Sequence, residues 1–187
     1  MDKIRCGWPQ GNMLMEKYHD EVWGVPVHDD QMLFAKLSLD LMQAGLMWRT
    51  ILYKWDNFHK AFDNFDIETI SRYDEKKYEE LMQNAGIVRN QLKIRAIISN
   101  AQKFLEIQKE FGSFSNYVWG FTNGEVIKNN FKAMEEIPAS TPLSDKISKD
   151  LKRRGFRFVG STIIYAWLQA IGVVNDHLVG CFRREEL

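Results

Sequence analysis

The chain has 187 residues, 45% hydrophobic and 13% aromatic, and its 25 basic and 25 acidic side chains cancel to a formal net charge of zero. Neutrality assigns no partner by global charge, and with no long uncharged apolar run a membrane-spanning helix is excluded. The opening Met1-Asp2-Lys3-Ile4-Arg5-Cys6 lacks the apolar core of a signal peptide and two distant cysteines make no disulfide framework, so a cytoplasmic protein is expected.

Residues 1–187 hold enough apolar material for one sizeable core, or for two lobes sharing one, and are read as a single domain. Cys6-Gly7-Trp8-Pro9 and the segment from Tyr18 to Pro26 read as irregular and rich in aromatics. Asp29 or Asp30 caps the first strong helix, in which Leu33, Phe34, Leu37 and Leu41 recur at helical spacing. It runs to about Ala44, where Gly45 breaks it. A second amphipathic run over 48–62 carries Trp48, Ile51, Leu52, Trp55, Phe58 and Phe62. Asp66 and Asp74 open two further helices, the second ending at Gly86. A long helix then runs to Phe111 and stops at Gly112.

Tyr117-Val118-Trp119 is a short segment, and residues 122–143 read as loop. Ser144 or Asp145 caps a basic helix to about Arg154, and another helix spans 161–171. Asn175 or Asp176 begins a last turn carrying His177 and Cys181. With no strand alternation or repeat, short helices joined by Gly turns predict an all-α fold, and the unusual residues at both termini predict that the ends meet.

Four side chains at those ends are candidate metal ligands: Cys6, His19, His177 and Cys181. If 177–181 is a helical turn, His177 and Cys181 at i, i+4 face one way. Two thiolates and two imidazoles suit tetrahedral zinc with no open position, hence a structural site; the alternative is two buried thiols and two unrelated histidines. Asp40 stands one turn before the Gly45 corner. It is either solvent-exposed or lines a pocket floored by Trp48. The Gly86 hairpin leads to Arg89 and Lys93 at a helix N-terminus, which suits a phosphate or is an ordinary solvated hairpin. Lys146, Lys149, Lys152, Arg153, Arg154 and Arg157 form a local basic patch, either a solvated face or a nucleic-acid contact.

Taken together these residues resemble one family. Arg5-Cys6-Gly7-Trp8, Tyr18-His19-Asp20 with Glu21-Val22-Trp23-Gly24-Val25-Pro26, Gln43-Ala44-Gly45-Leu46 with Trp48, Gly86-Ile87-Val88-Arg89, the run from Leu151 to Gly160, and Val174-Asn175-Asp176-His177 with Cys181 are similar to DNA-3-methyladenine glycosylases of the bacterial constitutive type, in the helix-hairpin-helix superfamily. The resemblance covers about residues 5–181, in order. It implies a two-lobed, all-helical helix-hairpin-helix fold with a cleft facing DNA. It implies a structural zinc on Cys6, His19, His177 and Cys181 that clasps the termini. The expected partner is double-stranded DNA containing alkylated bases, met by a monomer.

The implied reaction is base flipping and hydrolysis of the N-glycosidic bond of 3-methyladenine, without lyase activity. Trp8, Tyr18 and Trp48 fall on the family's pocket aromatics, and Leu46 falls on its intercalating leucine. Asp40 stands where the family has a base-recognising glutamate, and Gly86, Arg89 and Lys93 fall on the hairpin that holds DNA. The departures are Asp40, one methylene short of glutamate, and Met47, in place of a small polar residue. Both touch recognition, so a module that binds lesions without excising them is the rival expectation. A zinc hydrolase is disfavoured by a fully protein-ligated metal.

Overall fold

The computed structural model describes residues 3–187; Met1 and Asp2 of the opening stretch lie outside the described residues. The chain is mostly helical: α1 Met13–Glu21, α2 Asp30–Gln43, α3 Trp48–Tyr53, α4 Trp55–Ala61, α5 Ile67–Ser71, α6 Glu75–Gln83, α7 Gln91–Phe111, α8 Phe114–Trp119, α9 Pro142–Arg153, α10 Ser161–Ala170 and α11 Phe182–Glu186.

α2 is the centre. Every residue from Leu33 to Met42 is buried, because α3, α7, α8 and α10 all pack against it. A helix covered on all sides cannot keep an amphipathic stripe, so the two charges within it, Lys36 and Asp40, are carried inside. α7 lays the stripe Ile94, Ile97, Ala101, Phe104 and Ile107 into the core. Phe104 stacks on Phe114 of α8 with ring centroids 3.7 Å apart. Trp167 of α10 donates its indole N–H to Leu33 O at 3.1 Å.

The expected caps at Asp29, Asp66 and Asp74 form, and Asn90 caps α7; each side-chain oxygen accepts the backbone N–H three residues on. Each such cap stabilises its helix by about 1 kcal/mol.

Several boundaries differ from the sequence reading. Tyr18 and His19 lie in α1, whose cap is Asn12, and not in an irregular segment. The 48–62 run is two helices broken at Lys54, which turns its ammonium to Ala85 O and Gly86 O. α6 ends at Gln83, and Asn84 then accepts the Gly86 N–H through its side chain at 2.8 Å. The cap of α9 is Thr141, with Ser144 answering from the third helical position in a capping box.

Strand pairing, unforeseen, is present in miniature: β1 Ile127–Lys128 lies parallel to β2 Val174–Asn175. It ties the loop after α8 to the segment before His177. Residues 176–181 follow as loop, so the helical turn expected there is absent.

Candidate active site and Cys/His cluster

The two ends of the chain do meet. Cys6 comes from the opening loop, His19 from the last turn of α1, and His177 and Cys181 from the loop between β2 and α11. All four are buried, and their ligand atoms lie within 4.8 Å of one another. The convergence of His177 and Cys181 is a loop property, in place of the i, i+4 helical geometry expected.

Tetrahedral coordination with metal–nitrogen bonds of about 2.0 Å and metal–sulfur bonds of about 2.3 Å sets edges of roughly 3.3 Å between nitrogens and 3.5 Å between nitrogen and sulfur. Here His177 Nδ1 and His19 Nε2 are 3.2 Å apart. Cys181 Sγ is 3.5 Å from each imidazole nitrogen, and Cys6 Sγ is 3.7 Å from His177 Nδ1. The donor set fits a tetrahedral metal with all four positions filled.

The outer nitrogens are held as well. His19 Nδ1 is 2.8 Å from Asp20 Oδ1, and Asp20 in turn accepts from the Arg5 guanidinium at 2.8–3.1 Å. His177 Nε2 lies 3.2 Å from Trp23 O, and the Leu178 N–H points to Cys6 Sγ at 3.4 Å. Such partners orient imidazoles and thiolates toward a metal. Gly24 is required here: at φ +81° it brings its backbone so close that a Cβ would sit 3.0 Å from His177 Nε2.

Beside the cluster lies a cavity of about 330 Å³. α1 supplies Met15 and Tyr18, α2 supplies Asp40 and Gln43, and α3 supplies Trp48. Trp8 and Trp23 come from the loops around α1, Met134 and Ile137 from the segment before α9, and Ala166, Gln169 and Ala170 from α10. The Tyr18 and Trp48 rings touch each other with centroids 5.1 Å apart, and Trp8 meets Trp23 at 5.4 Å. That separation leaves no room for a planar ring between Tyr18 and Trp48.

The polar groups of this cavity are conspicuously unmet. Asp40 is 5% exposed, and its Oδ2 has no hydrogen-bond partner among the described residues. The same is true of Trp48 Nε1. A buried atom of either kind costs free energy unless something arrives to pair with it. One turn before Asp40, the Lys36 ammonium donates to Ala170 O at 2.8 Å and Val22 O at 3.3 Å. Burial pushes the Asp40 carboxyl up to about 8, with the Lys36 charge opposing. Burial brings Lys36 down to about 8, against the opposing Asp40 charge. The Tyr18 hydroxyl is raised by burial and then by the Asp40 charge.

Gly45, at φ +77°, turns the chain out at the cavity edge. Leu46 and Met47 project beyond it, 40% and 59% exposed. The hairpin between α6 and α7 lies alongside. Arg89 is exposed there, as a phosphate ligand would be. Lys93 is not: it points inward, and its ammonium donates to Met42 O at 2.9 Å and Ala44 O at 2.6 Å. The expected phosphate contact at Lys93 is thus replaced by a cap on the last carbonyls of α2. Gly86 closes the hairpin turn, its carbonyl held by Lys54 and Asn57. In the basic patch, Arg153 and Arg154 are paired with Asp150, and Arg154 also with Glu110, so its charge is partly cancelled.

The structure brings Trp8, Tyr18, Asp40 and Trp48 to one cavity, as expected. Trp23, Gln43 and the α10 face were not singled out as site residues. Gln169 carried a legible signal, a lone amide in the otherwise apolar run from Ile163 to Ile171 broken only by Tyr165.

The methyladenine glycosylase family profile matches residues 8–184. The chain is 45% identical to the DNA-3-methyladenine glycosylase 1 of Escherichia coli (strain K12) over 95% of each chain. It is 39% identical to the DNA-3-methyladenine glycosylase of Haemophilus influenzae over 95% of this chain and 96% of that one. A crystal structure of a 3-methyladenine DNA glycosylase I superposes with a TM-score of 0.93 at 45% identity, covering 96% of this chain and 98% of the other. The Staphylococcus aureus enzyme, solved for its recognition of 3-methyladenine, gives 0.93 at 32% identity over 96% of each. Profile, sequence and architecture agree over nearly the whole length, and the chain belongs to the methyladenine glycosylase family.

Proposed function

We propose a division of labour by which this DNA-3-methyladenine glycosylase of base excision repair reads and releases its base. The observation that carries it is the orphaned Asp40 Oδ2 in an aromatic cavity. A 3-methyladenine nucleotide is cationic. Aromatic faces attract it, and its positive charge favours the ionised form of Asp40, offsetting the burial that holds the carboxyl neutral in the free protein. Ordinary adenine brings no charge and gains nothing from that exchange. Asp40, Tyr18, Trp8 and Trp48 bind the flipped base, and Leu46 fills the stack it leaves.

The chemistry needs no acid for the leaving group. The glycosidic electron pair neutralises the charged ring as it departs, water bonds to C1′, and the water's proton is released to solvent. Among the described residues no lysine lines the cavity, and the ammonium groups of Lys36 and Lys93 are spent on backbone carbonyls. That supports a monofunctional hydrolase without lyase chemistry.

The Cys/His cluster holds zinc in this reading, as a structural clasp that joins the termini of one helix-hairpin-helix domain of two lobes spanning 1–187. Its four protein ligands leave the ion no part in hydrolysis. Arg89 engages the phosphates of alkylated double-stranded DNA from the hairpin turn that Gly86 closes with its own N–H and carbonyl already paired, and the protein acts as a cytoplasmic monomer.

The test is free-base release from methylated duplex DNA by native protein, Asp40→Glu and Asp40→Ala. Native protein and Asp40→Glu release 3-methyladenine and Asp40→Ala does not. Undiminished release by Asp40→Ala removes Asp40 from recognition, and damage-dependent binding without release by native protein returns the non-catalytic reading.

A further inference from the structure

α10 carries two polar side chains one turn apart, Tyr165 and Gln169, and both reach the same carboxylate oxygen. The Tyr165 hydroxyl and the Gln169 Nε2, the latter at 2.7 Å, donate to Asp176 Oδ2. Asn129 Nδ2 donates to Asp176 Oδ1 at 2.7 Å. Asp176 is 1% exposed and held on both sides, by the β1–β2 pair before it and by His177 after it. With three donors converging on it, the carboxylate accepts and leaves no donor for Gln169 to accept from. The Gln169 amide is therefore locked with its NH₂ toward Asp176, and the amide oxygen is the end left over. That oxygen accepts no hydrogen bond among the described residues, and Gln169 lines the cavity together with Asp40. Gln43, by contrast, lines the same cavity with no protein partner to fix its amide.

Once the cationic base ionises Asp40, the cavity thus presents two acceptors that lack donors within the protein, Asp40 Oδ2 and Gln169 Oε1. We infer that Gln169 is a specificity-determining contact, its Oε1 accepting from the exocyclic amino group of the flipped adenine, and that Asp176 is the positioning residue that fixes the amide for this. An amino group has two hydrogens and can serve both acceptors. A guanine ring places a carbonyl oxygen at that position, so acceptor would face acceptor, leaving buried groups unpaired. The inference rests on the 3-methyladenine reading above and adds to it the means of rejecting the methylated guanine.

Release of 3-methyladenine and 3-methylguanine from the same methylated duplex, as a ratio of kcat/KM values, tests it. Gln169→Met keeps the length of a partly exposed side chain and removes the acceptor. The ratio falls roughly tenfold or more, chiefly through slower 3-methyladenine release. Asp176→Ala moves the ratio the same way, and the double variant adds little to Gln169→Met, because the two act as one unit. Metal content and Tm, measured on each, separate this from damage to the adjacent cluster; Gln169→Met leaves metal content unchanged and lowers Tm by a few degrees at most, because Tyr165 still donates to Asp176 Oδ2. An unchanged ratio in Gln169→Met overturns the inference while the glycosylase function stands. Native protein that releases neither base overturns both.

Discussion

The Cys/His cluster and the cavity share walls, yet they treat polar atoms in opposite ways. In the cluster each imidazole has its outer nitrogen occupied, by Asp20 or by Trp23 O, while the inner atoms converge to tetrahedral spacing. In the cavity, Asp40 Oδ2 and Trp48 Nε1 are buried with nothing to bond. Trp8 and Trp23 serve both, packing on His19 and His177 from one side and lining the cavity from the other. Two further unpaired buried atoms, His59 Nε2 and Arg183 Nε, line neither region, so it is the pairing of unmet atoms with a cavity that marks a candidate for binding. The stability invested in one lets the other remain unsatisfied.

If that contrast is right, breaking the saturated region has the largest effect. Cys181→Ser removes one ligand and leaves the rest mis-paired in the interior. Tm falls by roughly 10 °C or more, and bound zinc is lost. A chelator applied to native protein moves Tm the same way. Unchanged Tm with no zinc in native protein would reduce the cluster to buried thiols and histidines.

The unsaturated region responds with the opposite sign. Asp40 has a folded value near 8 against an ordinary 3.8. Below that ordinary value both folded and unfolded chains hold the proton, and the residue is neutral in its effect. Between the two values the unfolded chain releases its proton and the folded chain keeps it, so stability declines as pH rises and levels off above about 8. Asp40→Asn abolishes this decline. Its Tm matches native protein near pH 4 and exceeds it by several degrees toward pH 8, a gain of a few kcal/mol at most. Base release meanwhile falls by about two orders of magnitude. The Lys36 titration runs from its folded value near 8 to its ordinary 10.5 and so stays outside this window. A Tm difference independent of pH would show that Asp40 is ionised at little cost in the free protein.

What the sequence made legible follows the reach of the forces involved. Caps at Asp29, Asp66 and Asp74 and the stop at Gly112 are set within a turn of chain, and they form. The meeting of Cys6 and His19 with His177 and Cys181 was legible because so few residue types can ligate a metal. The loop geometry of 176–181 was not, because it depends on β1, which is distant in sequence. Tyr18 and His19 were misplaced because the aromatics around them obscured Asn12 as a cap. Gln169 gains its meaning only from Asp176 and Asn129, which no local pattern joins to it. Lys93 is the instructive failure. One turn before Ile97 and two before Asn100, it stands on the buried stripe of α7, yet its charge suggested solvent.

That failure sharpens the comparison at its smallest scale, between two cations of one hairpin. Lys93 belongs with the saturated parts: its ammonium caps Met42 and Ala44, the carbonyls just before the Gly45 turn that carries Leu46 outward. Arg89 is exposed and free to meet phosphate. Lys93→Met strands two carbonyls and costs about 1–3 kcal/mol, read as a Tm lower by a few degrees. Its salt dependence of duplex binding is unchanged, because no phosphate contact is lost. Arg89→Ala leaves Tm within error and weakens binding to every sequence alike, with the slope of log K against log salt smaller by about 1. Exchange of these signatures, a salt effect at Lys93 or a stability effect at Arg89, would mean that the hairpin opens on DNA and turns Lys93 outward. The Gly45 turn would then be released when the duplex binds, and its geometry in the free protein would be a resting state.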